Sequence, residues 1–560
     1  MNKPLLISLA AATILATSLN AQSMYERIQS MELNIKKMQD EISTLRASGD
    51  EKSDDESAND ESEEESDEED SEDETKSTVE EADSDDGEEE DDEEEEFNAQ
   101  EEIEEINESI FELNKATNGN KLKLGADYRF AIDNMQYKMA DGSDAGNDAF
   151  MTNRLWINMD WKATDNLSFS GQLAYNKAFG HRSGWNSNIP GMETFDWVTN
   201  ENAYDDLLRV RSAYFLYKND TFMGTEIPWT FSIGRRPSTN GHLINLRDDD
   251  GAASPMGHTI NVEFDGISSK FSFEDLTGIE GMYVKFCAGR GGTNANPKFF
   301  AVNPQNGSVV QTGAPYATQP DDLGDIDLGG LIFVPYDNGQ YAFATQYYYA
   351  NNLIDADIVY PGGVPTMNGM KTVGGMHSFT ANFTVNGIGD EWNDYLDDTF
   401  FFISGAMSVT DPKSDERMLY GKNDLTGATT VAGESVTGHS VWLGLQMPSF
   451  ITEDGRWGVE YNQGSQYWRS ITYAEDTNIG SKLATRGSAY EVYFTEPLVE
   501  DILTFQIRYT YIDYEYTGSN GFFGGDTGSA VLIKDLTPMT GSTVTVDTAQ
   551  DIRAYLRYRF

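Results

Sequence analysis

Counted back from its last residue, the chain alternates apolar and polar positions without a break. Phe560, Tyr558, Leu556, Ala554 and Ile552 share one face, and Arg559, Arg557, Tyr555 and Arg553 share the other. A β-strand points successive side chains to opposite faces, so this is a strand with an apolar face and a cationic one. A soluble strand rarely puts three arginines on its polar face within seven residues. A strand with lipid on one side and a wet lumen on the other has this form.

The same period recurs from Lys121 onward. Leu122, Leu124, Ala126, Tyr128, Phe130 and Ile132 alternate with Lys121, Lys123, Asp127, Arg129 and Asp133. Leu155, Ile157, Met159 and Trp161 oppose Arg154, Asn158 and Asp160, and Leu208, Val210, Tyr214 and Leu216 oppose Arg209 and Arg211. About sixteen such segments are predicted, with connections of alternating length. Short links are expected near 163–166, 219–228, 275–280, 337–340, 389–398, 448–455 and 497–501. Long links are expected near 134–151, 179–206, 236–258, 291–327, 351–377, 411–437, 469–485 and 517–548. The predicted fold class is all-β: a transmembrane antiparallel barrel of about sixteen strands over 119–560. With an even strand count, both barrel ends fall on the short-turn side.

Upstream the period is helical. Met24, Ile28, Met31, Ile35, Met38, Ile42 and Leu45 step by four and three, which predicts a short coiled coil over 22–48. Residues 49–97 are almost wholly Asp, Glu and Ser, too poor in apolar groups to offset the entropy of ordering, so a disordered acidic linker is expected. A second short helix is expected over 98–118, from Ile103, Ile106, Ile110 and Leu113. At the start, Lys3, the apolar run Leu5 to Ala16 and the small residue Ala21 form a secretory signal pattern, 1–21.

Composition narrows the function classes. The chain has 560 residues and a formal net charge of −56, concentrated toward the N-terminus, which argues against nucleic-acid binding. Beyond the N-terminus no apolar run is long enough for a membrane helix. The single cysteine, Cys287, rules out an intrachain disulfide, and its strand face marks it as structurally incidental. Five histidines (His181, His242, His258, His377 and His439) fall in or near predicted loops without metal-ligand spacing. Asp141 to Asp144 and Asp248 to Asp250 match no complete calcium loop. No catalytic residue, metal site or cofactor is expected, and an enzyme is not.

The segments Thr152-Asn153-Arg154-Leu155-Trp156 and Gly234-Arg235-Arg236-Pro237-Ser238-Thr239-Asn240-Gly241, with the terminal Phe560, resemble bacterial outer-membrane porins. More narrowly, the chain resembles a family of uncharacterised porin-like outer-membrane proteins with an N-terminal heptad segment. The resemblance spans about 121–560 plus the heptads, and the long acidic insert departs from it. It implies location in the outer membrane with the N-terminal segment periplasmic. It also implies contact with outer-membrane lipids, a homo-oligomer such as a trimer, and assembly machinery that reads Tyr558 and Phe560. Peptidoglycan is a further candidate partner.

Sixteen strands leave an aqueous lumen whose charges set selectivity. Alternation assigns Arg129, Arg154, Arg209, Arg211, Arg508, Arg553 and Arg557 to the lumen face, clustered where the last strands meet the first. Arg557 and Arg559 are expected near the periplasmic rim. The third long loop leaves through Arg235 and Arg236 and carries Asp248, Asp249 and Asp250. In general porins that loop folds inward, so an acidic loop is expected to face a basic wall across a constriction. The alternative is that the arginines balance Asp127, Asp160, Glu460 and Glu491 in the lumen. Trp161, Trp229, Tyr128, Tyr214, Tyr509, Tyr558 and Phe560 are expected to form outward aromatic girdles. The leading expectation is passive diffusion of small hydrophilic solutes, anion-biased by lumen arginines. The rival is a structural protein that spaces the outer membrane through its coiled coil and acidic segment.

Overall fold

The computed structural model describes residues 122–560, apart from 180–203, 252, 294, 296–299, 303–308, 312–314, 318–322, 390–391, 422–430 and 473–474. The expected signal sequence, coiled coil, acidic linker and second helix lie outside the described residues. Sixteen antiparallel strands form the wall. They are β1 Leu122–Met139, β2 Asp144–Lys162, β3 Leu167–Ala178, β4 Tyr204–Asn219, β5 Trp229–Ser238, β6 Ile260–Ser272, β7 Tyr283–Gly292 and β8 Ile326–Asp337. The second half comprises β9 Tyr341–Val359, β10 Thr366–Asn386, β11 Phe400–Pro412, β12 Thr437–Pro448, β13 Arg456–Gly464, β14 Gly487–Val499, β15 Leu503–Tyr514 and β16 Val546–Arg559.

Each strand pairs with its sequence neighbours, and β16 closes on β1 with Tyr128 opposite Tyr558 and Arg129 opposite Arg557. Phe560 completes the seam: its N–H donates to the Ala126 carbonyl, and the Ala126 N–H donates back, both at 2.8 Å. Closure leaves no free sheet edge, the condition a sheet must meet to cross lipid. Outward positions are apolar and accessible, as Tyr128 (41% exposed) and Tyr558 (43%) illustrate, whereas their sequence neighbours Arg129 and Arg557 are each 3% exposed. Trp161, Tyr509 and Phe560 are likewise outward and exposed, and Trp229 stacks on Phe271 of the neighbouring strand.

Three expectations change. The expected long links near 134–151 and 351–377 are tight turns, because β1, β2, β9 and β10 run past the others as 18- to 21-residue strands. Tyr214 is not outward. Gln172 pairs with Ser212 and Leu173 with Val210, so Arg211 is an extra, bulged residue. A bulge shifts the alternation by one. Arg211 and Ser212 are both buried, and beyond them Phe215 and Tyr217 take the outer face against Phe231 and Trp229. Gly234, opposite Tyr214, has φ 138°, and a Cβ there would meet the Ala213 carbonyl at 2.3 Å. Finally, Arg209 is exposed, in register with Ala174, and stands apart from the buried arginines.

The lumen is divided. On the long-loop side it is filled by a core in which Ile260, Val262 and Phe264 of β6 and Leu353 and Ile354 of β9 pack on Met418, Leu419, Ile471 and Phe523 from three loops. On the short-turn side a cavity of about 2320 Å³ remains.

Candidate functional site

Loop 239–259 enters the lumen and crosses it. It leaves β5 at Ser238, turns through a 3-10 helix at Ile244–Leu246 and returns to β6 at Ile260. Leu243 and Ile244 seat against Phe402, Trp442 and Leu483, which anchors the crossing by burial of apolar surface. Carbonyl groups of the loop then accept from the far wall. Gln446 donates to the Leu246 carbonyl at 3.0 Å and Gln506 to that of Arg247 at 2.7 Å. Arg557 and Arg559 donate to the Asp248 carbonyl at 3.0 and 2.9 Å.

A second loop, 465–486, packs beside it. From Trp468 to Arg486 every described residue except Asn478 and Gly480 is buried. Pattern reading missed this loop as a lumen element. Its signal was the close mixing of Arg469, Glu475, Asp476, Lys482 and Arg486 with small and apolar residues, unlike a solvated loop.

The wall explains why both loops are inside. Arg129 stands directly opposite Arg154 on one side and Arg557 on the other, and Arg508 stands opposite Arg553. Like charges directly across strands are destabilising, and burial adds a desolvation cost. Carboxylates offset both. Asp476 lies between Arg129, which donates two N–H bonds to its carboxylate, and Arg553 at 3.4 Å. Asp127 accepts from Arg557 at 3.0 Å and faces Arg154 at 3.5 Å. Arg553 pairs with Asp133 at 2.6 Å, and Arg557 with Asp250 at 2.9 Å. The acidic part of the wall is the mirror case. Glu460 stands opposite Glu491, and Lys482 of the second loop bonds both at 2.6 Å. Arg247 of the crossing loop adds a pair to Glu491 at 3.1 Å. The loops therefore give carboxylates to the basic wall and cations to the acidic wall.

Two expectations are corrected here. Asp248 and Asp250 do not face the arginines across a gap; they touch them, and Tyr555 donates to Asp248 at 3.0 Å. Arg557 is an interior residue rather than a rim charge, while Arg559 is partly exposed and reaches back to the Asp248 and Asp249 carbonyls. Asp249 itself turns to the cavity and pairs with Arg456 at 3.0 Å. Burial pushes the Asp248 carboxyl up, but Arg247, Arg508 and Arg557 outweigh it and hold its pKa at about 2. For Asp476, Arg129 and Arg553 likewise outweigh burial and hold the carboxyl well below its ordinary range. His258, between the Ser404 and Ser440 hydroxyls at 2.8 and 2.9 Å, is held down to about 3 by burial.

The cavity keeps a different set of charges. Arg236, Lys270 and Lys285 line it from β5, β6 and β7. Asp397, Asp398, Glu453, Asp454, Glu500 and Asp501 line it from the turns before β11, β13 and β15. The acidic turns lie across the second half of the wall, where Arg456 of β13 and Arg557 and Arg559 of β16 line the cavity as well. Arg235 instead spans β4 to β6, donating to the Val210 carbonyl at 2.8 Å and pairing with Glu263 at 3.1 Å. Among the described residues, no cluster of three or more His, Cys, Asp or Glu could hold a metal ion.

The model of the family described as "Protein of unknown function (DUF3373)" matches residues 144–560. The chain belongs to the DUF3373 family. The match covers β2 to β16 and both lumen loops. Among curated proteins no match is found. Solved structures with a similar barrel include OmpT of Vibrio cholerae, at 12% identity and TM-score 0.39, covering 78% of this chain and 97% of that one. An anion-selective porin from Comamonas acidovorans matches at 11% identity and TM-score 0.41, covering 79% and 100%. OprB of Pseudomonas putida matches at 13% and 0.41, covering 81% and 97%.

Proposed function

We propose that this DUF3373 chain is a porin-like channel of the outer membrane for small hydrophilic solutes, with its outer half restrained by inserted loops. The observation that carries the reading is a closed barrel with an apolar exterior around a charged interior that keeps a cavity of about 2320 Å³. A barrel serving only as an anchor has no need of such a volume. In this reading the short turns face the periplasm and the cavity is the periplasmic vestibule. Arg129, Arg508, Arg553 and Arg557 hold the loops in place, and with Arg154, which pairs with Asp127 of the wall, their charge is already matched by carboxylates. Ion preference falls instead to the charges that line the vestibule. Solute must pass the gap between the loops and the wall or wait for loop 465–486 to move, so small unitary conductance is expected. The function does not require chemistry on the solute.

The test is reconstitution of the full chain in planar bilayers. Discrete conductance steps and a reversal potential under a salt gradient are expected. Folded protein, verified by heat-modifiable gel mobility, that inserts without passing current would overturn the proposal.

A further inference from the structure

We propose that loop 465–486 and segment 517–531, between β15 and β16, form one gate body, held shut on the long-loop side by Asp355 of β9. Its role as a gate rests on the channel reading. Its unity and its latch rest on the bonds below.

Arg486 joins the two segments. It is fully buried at the end of its own loop, where its Nε donates to the Trp468 carbonyl at 2.9 Å. One terminal guanidinium nitrogen donates to the Thr517 and Gly528 carbonyls of the other segment at 2.8 and 2.7 Å. A Cβ at Gly518 would meet that same nitrogen at 2.6 Å, so the glycine makes the room. The Arg486 N–H donates to the Ser519 hydroxyl at 2.9 Å. Further ties run along the whole of segment 517–531. Arg469 donates to the Ser519 carbonyl and Gln466 to the Ala530 carbonyl at 3.2 Å. The Asn520 side chain accepts from the Ser481 N–H at 3.3 Å. Leu419, from the loop after β11, joins the same body. Its N–H donates to the Phe523 carbonyl at 3.1 Å, and its carbonyl accepts from the Ala530 N–H at 3.0 Å.

Toward the wall the contact is of another kind. Apolar groups of β6 and β9 supply a seat without direction. The directed bonds gather on one short stretch of β9. Its register against β10 shifts at Leu353, and Leu353, Ile354, Asp355 and Ala356 are all buried. The Phe523 N–H donates to the Ile354 carbonyl at 3.1 Å. The Asp355 carboxylate accepts from the N–H groups of Asp526 at 2.7 Å and Thr527 at 3.2 Å, and from the Thr527 hydroxyl. Among the described residues Asp355 has no ion pair, so segment 517–531 supplies its donors. Lys371 pairs with Asp526 at 3.2 Å and Glu416 at 3.0 Å, but these pairs are partly solvated and weak.

The two contacts differ in what separation leaves behind. Parting the loops from each other strips a buried guanidinium of two carbonyls and leaves it only the Trp468 carbonyl. An unpartnered buried charge is costly. Lifting both off β9 returns Asp355 and its donors to water, which hydrates each of them. The body therefore leaves the wall whole, and the bonds of Asp355 are the ones exchanged for water when it does.

Hydrogen–deuterium exchange of the full chain in detergent tests the unity, and bilayer recordings test the gate. Asp355→Ala should speed exchange of amides 518–530 on the order of tenfold, and of amides 475–486 by the same factor, with β1 and β16 unchanged. Thr527→Val keeps the side-chain shape, removes one donor, and should move both sets together by about threefold. In bilayers Asp355→Ala should make openings to a larger conductance about tenfold more frequent, in step with exchange. Folding of each variant is checked by heat-modifiable mobility. Faster exchange at 518–530 with 475–486 unchanged means two separate loops and overturns the proposal. So does a folded Asp355→Ala chain as protected as the native one. Joint loosening in a chain that passes no current leaves the body standing and overturns the channel reading. Joint loosening with openings unchanged overturns the gate and leaves the channel reading standing.

Discussion

Asp476→Asn tests whether wall charges hold the loops in the lumen. Asn keeps the size of the side chain and removes only its charge. Asp476 receives two N–H bonds from Arg129 and lies 3.4 Å from Arg553, and the side chains of all three are at most 7% exposed. Breaking one partner of a buried ion pair costs about 3–5 kcal/mol. The residue-476 carbonyl still accepts from Arg508 at 2.7 Å and Arg553 at 2.6 Å, so the lower end applies. At about 1.4 kcal/mol per factor of ten, 3 kcal/mol raises the population of the detached loop on the order of 100-fold. Hydrogen–deuterium exchange of the full chain should show faster exchange of amides 475–486 by that factor, with strands β1 and β16 unchanged. Bilayer recordings should show more frequent excursions to a larger conductance. Glu416→Gln is the control. It removes a partner of Lys371 at 3.0 Å that is partly solvated, and such pairs contribute about 0–1 kcal/mol. Its effect on exchange should stay below about fivefold. If Asp476→Asn leaves amides 475–486 as protected as in the native chain, the loop is held by packing alone and the charge argument fails.

Three further outcomes follow from the same geometry. His258 is neutral in the folded chain because burial holds its pKa at about 3, against 6.5 when exposed. Below pH 6.5 the unfolded chain takes a proton that the folded chain refuses, so stability falls as pH drops from 6.5 toward 3, by up to about 1.4 kcal/mol per pH unit. Melting temperatures at pH 7 and pH 5 should therefore differ less in His258→Gln than in the native chain, and equal differences would refute this. Gly234→Val should prevent folding to the heat-modifiable form, since its Cβ would meet the Ala213 carbonyl at 2.3 Å with φ at 138°. Gly329→Ala, where nothing lies within 4 Å of the added carbon, should be tolerated, and a folded Gly234→Val would show that the bulge can relax. Deleting Phe560 removes two ladder bonds of the β1–β16 seam, about 2 kcal/mol, whereas Phe560→Ala keeps both and loses only a ring that is 81% exposed. The deletion should lower the melting temperature of folded protein, the substitution should not, and equal effects would refute a seam role.

The sequence by itself determined the wall. Side-chain direction in a strand has period two, so the faces of Arg129, Arg154, Arg508, Arg553 and Arg557, and the lipid side of Tyr128 and Tyr558, follow from neighbouring residues alone. The alternation of short and long links located most turns for the same local reason. Where a strand runs unusually far, as β9 and β10 do, polar residues near its outer end read as loop, so the links at 140–143 and 360–365 read as longer than they are. The bulge at Arg211 is another local failure: one inserted residue reverses every face after it, and only the pairing of β4 with β3 reveals it. What tertiary structure decided was the use of the charges. Arg129 meets Asp476 across 347 positions and Arg557 meets Asp250 across 307, separations that no periodicity encodes. Because loops 239–259 and 465–486 fold inward, Arg129, Arg508, Arg553 and Arg557 are matched where they stand, while Arg154 is matched by Asp127 of the wall. Which charges line the remaining cavity, Arg236, Lys270 and Arg456 among them, pattern alone did not distinguish from the rest of the wall.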